Sequence, residues 1–203
     1  MNLDVEIQNA LEVLRKGGII LYPTDTIWGI GCDATNEKAV ERIFQIKKRE
    51  EKKSLIILVN DERMLNKYVK EVPAIAHELI TQSETPLTII YDEGINLAKN
   101  VLADDGSIAV RIPKPAYRNA GTGATAGRDE FCNKLIYKFG KPIVSTSANV
   151  SGEKAPQNFK EISSEILSKV DYISNFQLPT SNFQLPSSII KVKNNGEIKI
   201  IRK

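Results

Sequence analysis

Apolar positions along the chain alternate between helical spacing and short unbroken runs. Leu11, Val13 and Leu14 belong to an amphipathic segment that closes on Lys16-Gly17-Gly18, a basic residue and glycines that stop a helix. The run GIILY behind it is short and wholly apolar, which predicts a buried strand. Helical spacing returns after Asn36, a residue suited to cap a helix, with Ala39, Val40, Ile43, Phe44 and Ile46 on one face. SLIILV predicts a further strand, and helices follow around 64–69 and 73–80. PLTIIYDE, SIAVRIP, KPIVSTS, SSIIKV and EIKIIRK complete the strands. Strands interleaved with helices predict an α/β domain on a twisted, mixed sheet, with the strand order left open.

Two stretches break the pattern. PAYRNAGTGATAGR is rich in small residues and has no period, and it lacks the Gly-Lys-Ser/Thr ending of a phosphate loop. It reads as a flexible insertion over 114–128. SNFQLP occurs at 174–179 and again at 181–186, too short a unit for a structural repeat, and 174–186 reads as a duplicated linker. Residues 1–203 are otherwise expected to form a single domain.

Composition narrows the chemistry. The chain has 203 residues, 41% hydrophobic and 26% charged, with a formal charge of +3. That charge does not by itself call for nucleic acid, though it leaves room for a local phosphate-binding patch. A single histidine, His77, argues against histidine metal sites and Ser-His-Asp triads. Cys32 and Cys132 have no metal-ligand spacing and, with no secretory leader in view, are expected as reduced thiols in a cytoplasmic protein. No apolar run approaches the roughly 20 residues that span a bilayer.

Four constellations could carry chemistry. YPTDTIWGIGCDA, 22–34, puts Pro23, the hydroxyls of Thr24 and Thr26, and two glycines at a strand end. It suits either close backbone approach to a ligand or a turn whose side chains satisfy their own backbone. Lys47 and Arg49 flank one residue where the second helix ends, followed by Lys52 and Lys53. They are either a solvated helix terminus or a pair of cations aimed at one anion, such as a nucleotide triphosphate. STSANVSG, 145–152, would place Ser145, Ser147 and Asn149 on one side of an extended chain, facing solvent or a polar ligand. No histidine base stands by to activate these serines. In SIAVRIP, Ser107, Ala109 and Arg111 share a face, and an arginine within an apolar strand needs a carboxylate, from substrate or protein.

In order and spacing, YPTDTIWGIGCDA, IKKR, SLIILV, SIAVRIP, STSANVSG, PSSII and IIRK resemble the threonylcarbamoyl-adenylate synthase (YrdC-like) family over about 17–202. The resemblance implies a twisted mixed sheet with flanking helices around a concave, positively charged cavity. It also implies a nucleotidyltransferase that joins L-threonine, bicarbonate and ATP into threonylcarbamoyl-adenylate and pyrophosphate, the activated precursor of a modified tRNA adenosine. By that likeness Thr26, Arg111 and Ser147 hold threonine, with Arg111 on its carboxylate. Arg49, Lys53, Ser107, Ser145 and Arg202 contact ATP, and Lys47, Arg49, Ser147 and Asn149 form the paired Lys-x-Arg and Ser-x-Asn catalytic signatures. Mg2+ is expected with ATP, held mostly by phosphate and water, without a cluster of protein ligands. A separate complex is expected to transfer the threonylcarbamoyl group to tRNA.

The sequence departs from that pattern in places. Leu58 stands where longer relatives have a histidine near threonine, Ala155 can offer a nucleotide only backbone, and the 115–128 insertion has no counterpart. No equivalent of the extra C-terminal domain of larger relatives is expected after Arg202-Lys203. Two competing readings are an RNA-binding YrdC-like module using KKREEKK and a paralogue that adenylates another carbamate. The interleaved Glu50 and Glu51 weaken the RNA reading.

Overall fold

The structure is a computed structural model that describes residues 2–49, 55–113, 117–118, 125–126, 129–176 and 186–203. The chain opens with α1 (Leu3–Arg15), β1 (Ile20–Tyr22), β2 (Gly29–Gly31), α2 (Glu37–Lys47) and β3 (Ile56–Leu58). Next come α3 (Glu62–Tyr68), α4 (Ala74–Gln82), β4 (Leu87–Tyr91) and β5 (Ile108–Arg111). The two-residue strands β6 (Tyr117–Arg118) and β7 (Thr125–Ala126) precede α5 (Glu130–Phe139) and β8 (Ile143–Ser147). The chain ends with α6 (Ser164–Leu167), β9 (Tyr172–Ile173), β10 (Ser188–Val192) and β11 (Ile198–Arg202).

One sheet takes nine of these strands in the order β11-β10-β4-β5-β3-β8-β2-β1-β9. It is mixed: β1 with β9, β3 with β5 and β4 with β10 run parallel, and the other pairs run antiparallel. Helix boundaries follow local chemistry. Asn36 accepts from the Lys38 and Ala39 amides at 3.1 and 3.2 Å, and Asp129 accepts from the Cys132 amide at 3.0 Å. At the other end of α2, Lys48 takes the left-handed conformation (φ 48°), turning the chain sharply after Lys47.

Sequence pattern and structure differ at β2. Gly29-Ile30-Gly31 reads as a ligand-hugging loop, yet it pairs with β1 and β8. The glycine at 31 serves the sheet, because a Cβ there would lie 2.5 Å from the Val144 carbonyl oxygen and 2.8 Å from Tyr22 Cε1. Residues 117–118 and 125–126 pair as a short antiparallel ladder within the stretch read as a flexible insertion, whose remainder lies outside the described residues.

The core lies where α1 and α5 pack together beside β1, with Ile7, Leu11, Leu21, Leu135 and Val144 at most 1% exposed. The first copy of SNFQLP is docked at its start rather than a free linker. Ser174 donates its amide to the Leu21 carbonyl (2.8 Å), and Phe176 stacks on Phe131 with centroids 5.7 Å apart. Glu6 Oε2 of α1 accepts from Tyr172 Oη (2.6 Å), Ser174 Oγ (3.1 Å) and the Asn175 amide (2.9 Å). Residues 177–185 lie outside the described residues, and the chain re-enters at Pro186 beside the cavity.

Candidate active site

A cavity of about 400 Å³ opens over the middle of the sheet, within the range of small-molecule sites. Strand order explains who meets there. β8, β3, β5, β4 and β10 are successive neighbours, so chain segments far apart in sequence reach one wall. Thr26, Arg49, Arg111, Ser145, Ser147 and Asn149 all line it, and Arg202 closes it from β11. The charged side chains on this wall, among the described residues, are Arg49, Arg111, Arg202 and Glu153.

The turn after β1 divides its two threonines. Thr24 Oγ1 donates to the Ile27 carbonyl (2.7 Å) and accepts from the Thr26 and Ile27 amides (3.2 Å each), satisfying its own turn. Thr26 Oγ1 lies 2.8 Å from Thr24 Oγ1 and accepts from Arg111 Nη1 at 3.1 Å. Gly29 borders the cavity beside Ser145 Oγ.

Arg111 has protein carboxylates beside it. Its Nη1 is 3.0 Å from Asp25 Oδ1, and its Nη2 is 3.9 Å from Asp129 Oδ2. Burial opposes the charge, but Asp25 and then Asp129 hold the guanidinium above its usual range. One edge of Arg111 still faces the cavity. Neither acidic residue stood out in the sequence; Asp25 is hidden inside the threonine motif, and Asp129 looks like an ordinary helix cap.

Lys47 and Arg49 do not face the same space. The left-handed turn at Lys48 separates them: Arg49 lines the cavity, where burial lowers its pKa, whereas Lys47 points beneath it and is 2% exposed. Lys47 Nζ donates to the Ser147 carbonyl (2.5 Å) and the Asn149 carbonyl (2.7 Å), and the Ser151 amide donates back to the Lys47 carbonyl (2.8 Å). Its place is structural support for the Ser-x-Asn turn rather than contact with the cavity. Burial, and then the nearby Arg49 charge, lower its pKa to about 8. Asn149 donates to the Val150 and Glu153 carbonyls (3.0 and 2.7 Å), leaving its Oδ1 buried without a hydrogen bond.

The remaining candidates separate as well. Arg202 donates from Nε and Nη2 to the Ser187 carbonyl (3.1 and 2.7 Å), pinning β11 to the segment before β10. Ser187 Oγ in turn bonds Thr88 Oγ1 at 2.7 Å, and both residues line the cavity. Thr88 escaped the sequence reading because a single hydroxyl within PLTII gives no signal. Ser107 is not on the wall; it lies at the far end of β5, its amide donating to Asp105 Oδ1 at 3.0 Å and its hydroxyl also bonded to that carboxylate. Lys53 lies outside the described residues. Leu58 and Ala155 both line the cavity, giving an apolar wall at the first position and a methyl group at the second.

Among the described residues no three His, Cys, Asp or Glu side chains gather as a metal site, and no helix is long and apolar enough to cross a membrane.

This arrangement matches known proteins throughout the chain. Threonylcarbamoyl-AMP synthase of Pseudoalteromonas translucida (strain TAC 125) is 31% identical over 170 residues, covering 82% of this chain and 83% of the relative. The protein of the same name from Vibrio cholerae serotype O1 (strain ATCC 39315 / El Tor Inaba N16961) is 32% identical over 165 residues, 80% of each chain. Among solved structures, P. abyssi Sua5 complexed with L-threonine superposes with a TM-score of 0.78 at 27% identity over 92% of this chain. The chain spans 50% of the length of that Sua5. E. coli YciO, at 23% identity and a TM-score of 0.76, covers 100% of this chain, is itself covered to 90%, and shares the twisted mixed sheet with flanking helices. The family model Sua5/YciO/YrdC, with the description "Telomere recombination", matches residues 12–203. A match of that extent means that the chain belongs to the Sua5/YciO/YrdC family.

Proposed function

We propose that this chain, acting as one domain, is a nucleotidyltransferase forming L-threonylcarbamoyladenylate and pyrophosphate from L-threonine, bicarbonate and ATP. The observation that carries the reading is the convergence of Arg49, Arg111 and Arg202 with Thr26, Ser145 and Ser147 on one cavity. The names of the relatives, and the threonine bound by P. abyssi Sua5, support it.

In this reading Arg111 and Thr26, already joined by a hydrogen bond, receive the carboxylate and hydroxyl end of threonine, with Ser147 opposite. The unprotonated amine adds to carbon dioxide derived from bicarbonate, giving a carbamate; the proton the nitrogen loses and the hydroxide that bicarbonate releases leave as water. A carbamate oxygen then attacks the α-phosphorus of ATP, forming a P–O bond as the bond to the departing pyrophosphate breaks. The step needs a positioned nucleophile and neutralised phosphates rather than a covalent protein intermediate. Arg49, Arg202 and Ser145 are suited to the nucleotide, arginine as a forked donor to phosphate oxygens. Lys47 acts by holding the backbone of Ser147 and Asn149 in place.

The lining offers hydroxyls and one carboxylate, Glu153, which fits a Mg2+ ion that arrives with ATP and keeps mostly phosphate and water ligands. When bound, that ion neutralises charge on the phosphates. The product's activated acyl group implies a separate enzyme that transfers it to tRNA.

The test is pyrophosphate release by the purified protein given ATP, Mg2+, bicarbonate and each amino acid in turn. Release is expected with L-threonine and to require bicarbonate. Arg49→Ala is expected to lower it at least about tenfold, the scale of one lost charged hydrogen bond. Equal release with every amino acid, or full turnover in that variant, would overturn the reading.

A further inference from the structure

Behind the cavity wall, Asp25, Arg111 and Asp129 meet, each at most 5% exposed. Two carboxylates therefore share one guanidinium, at 3.0 and 3.9 Å, in a largely buried setting. Asp129 joins the pieces: Oδ1 accepts the Cys132 amide that begins α5, and Oδ2 accepts the Asp25 amide (3.1 Å) in the turn that presents Thr26. The other titratable groups facing this cluster, among the described residues, are Tyr22 from β1 and Cys132 from α5. Burial first, and nearby negative charge after it, raise both well above their usual range, so both stay neutral at ordinary pH.

The charge count has a consequence. With both acids ionised the cluster carries one excess negative charge, and a substrate carboxylate docking on Arg111 would be the third anion on one cation. Carboxylates crowded in this way do not all stay ionised; one takes a proton. Asp129 is the group placed for it: it is wholly buried and is the carboxylate farther from the guanidinium, 3.9 Å against 3.0 Å for Asp25. Burial and then Asp25 accordingly push its pKa up, to about 7, against the pull of Arg111.

We propose that Asp129 is a positioning residue that accepts a proton when an amino-acid carboxylate docks on Arg111, so that L-threonine binding is coupled to proton uptake. This inference rests on the reading that Arg111 receives the threonine carboxylate, and adds to it the charge state in which the site binds.

Titration calorimetry of the full chain with L-threonine, between pH 6 and 8 in buffers of different ionisation enthalpy, counts the protons. Uptake is expected to be small at pH 6 and about half a proton or more at pH 8, with Kd weakening toward tenfold per pH unit above about pH 7. Deprotonation of the threonine amine on binding would give the opposite sign, a release. In Asp129→Asn the uptake should vanish and Kd should become flat with pH. A merely structural role would weaken binding equally at every pH and leave the slope intact. Asp129→Ser keeps a helix-capping oxygen and serves should the asparagine variant not fold, while the proton count on the unmodified chain needs neither. Threonine binding without uptake would overturn the inference alone. No threonine binding at any pH would overturn the functional reading and the inference with it.

Discussion

Lys47→Met separates the energy of the fold from the geometry of the site. The variant keeps the aliphatic stem and removes the ammonium that donates to the Ser147 and Asn149 carbonyls. Leaving two buried acceptors without a donor costs about 1–3 kcal/mol each, or ~2–6 kcal/mol together. Against this stands the cost of keeping the charge buried. A pKa lowered from 10.5 to about 8 corresponds, at about 1.4 kcal/mol per unit, to about 3 kcal/mol at neutral pH that methionine does not incur. The two effects largely offset, so the unfolding free energy at pH 7 is expected to change by no more than about 3 kcal/mol. Turnover, in contrast, should fall at least about tenfold, because the turn carrying Ser147 and Asn149 loses its support. A second readout checks the sign. Between pH 8 and 10.5 the unfolded chain holds a proton on residue 47 that the folded chain has released, so stability contributed by this group rises with pH across that window. Denaturant unfolding at pH 7.5 and at pH 10, with pyrophosphate release at pH 7.5, measures all three quantities. Loss of more than about 5 kcal/mol at pH 7.5 with an unchanged pH slope would show that the ammonium is not held at a cost. Full turnover would show that its two bonds do not shape the site.

The two glycines of β2 should separate fold from function in another way. Gly31→Ala forces a Cβ to 2.5 Å from a backbone oxygen and should destabilise by about 1–3 kcal/mol in denaturant unfolding, as overpacking does. Gly29→Ala meets Ser145 Oγ and Thr24 Cγ2 at 3.4 Å, ordinary contact, so stability should hold; its methyl enters the cavity wall, and KM for a substrate should rise. Glu6→Leu leaves Tyr172, Ser174 and Asn175 without their shared acceptor and should cost about 2–4 kcal/mol, with faster amide exchange over 172–176 than over α5.

What the sequence could reveal depended on whether a residue's role was local. Helix ends were legible because capping is decided within a few residues, as at Asn36 and at Lys16-Gly17. The apolar faces of α2 and the strands around SLIILV and SIAVRIP were legible because periodicity is local as well. β2 was not, since glycine's use there depends on Val144 and Tyr22 approaching from other strands. The same divide runs through the site. Thr26, Arg111, Ser145, Ser147 and Asn149 sit in short polar stretches beside apolar runs and Arg49 in a basic run at a helix end, which are visible signals, and the fold brings them together. Ser107 carries the same visible alternation as Arg111, but alternation gives only a face and not the position along the strand, and it lies beside Asp105 instead.

The residues that hold the site were the ones hidden. Asp25, Asp129 and Lys47 each lie next to a recognisable feature and read as part of it, whereas their bonds run to partners 86, 18 and 100 positions away respectively. Each is a buried ion whose burial is costly on its own, and each is stabilised by groups that the sheet topology brings to it. The cavity is thus assembled from two sets of residues with different constraints. Those on its wall need a chemistry that can contact a ligand and tolerate water before it arrives. Those behind it need a partner of opposite charge or a backbone group at fixed distance, so a conservative change such as Asp129→Asn or Lys47→Met alters the site without altering a single atom that faces the ligand.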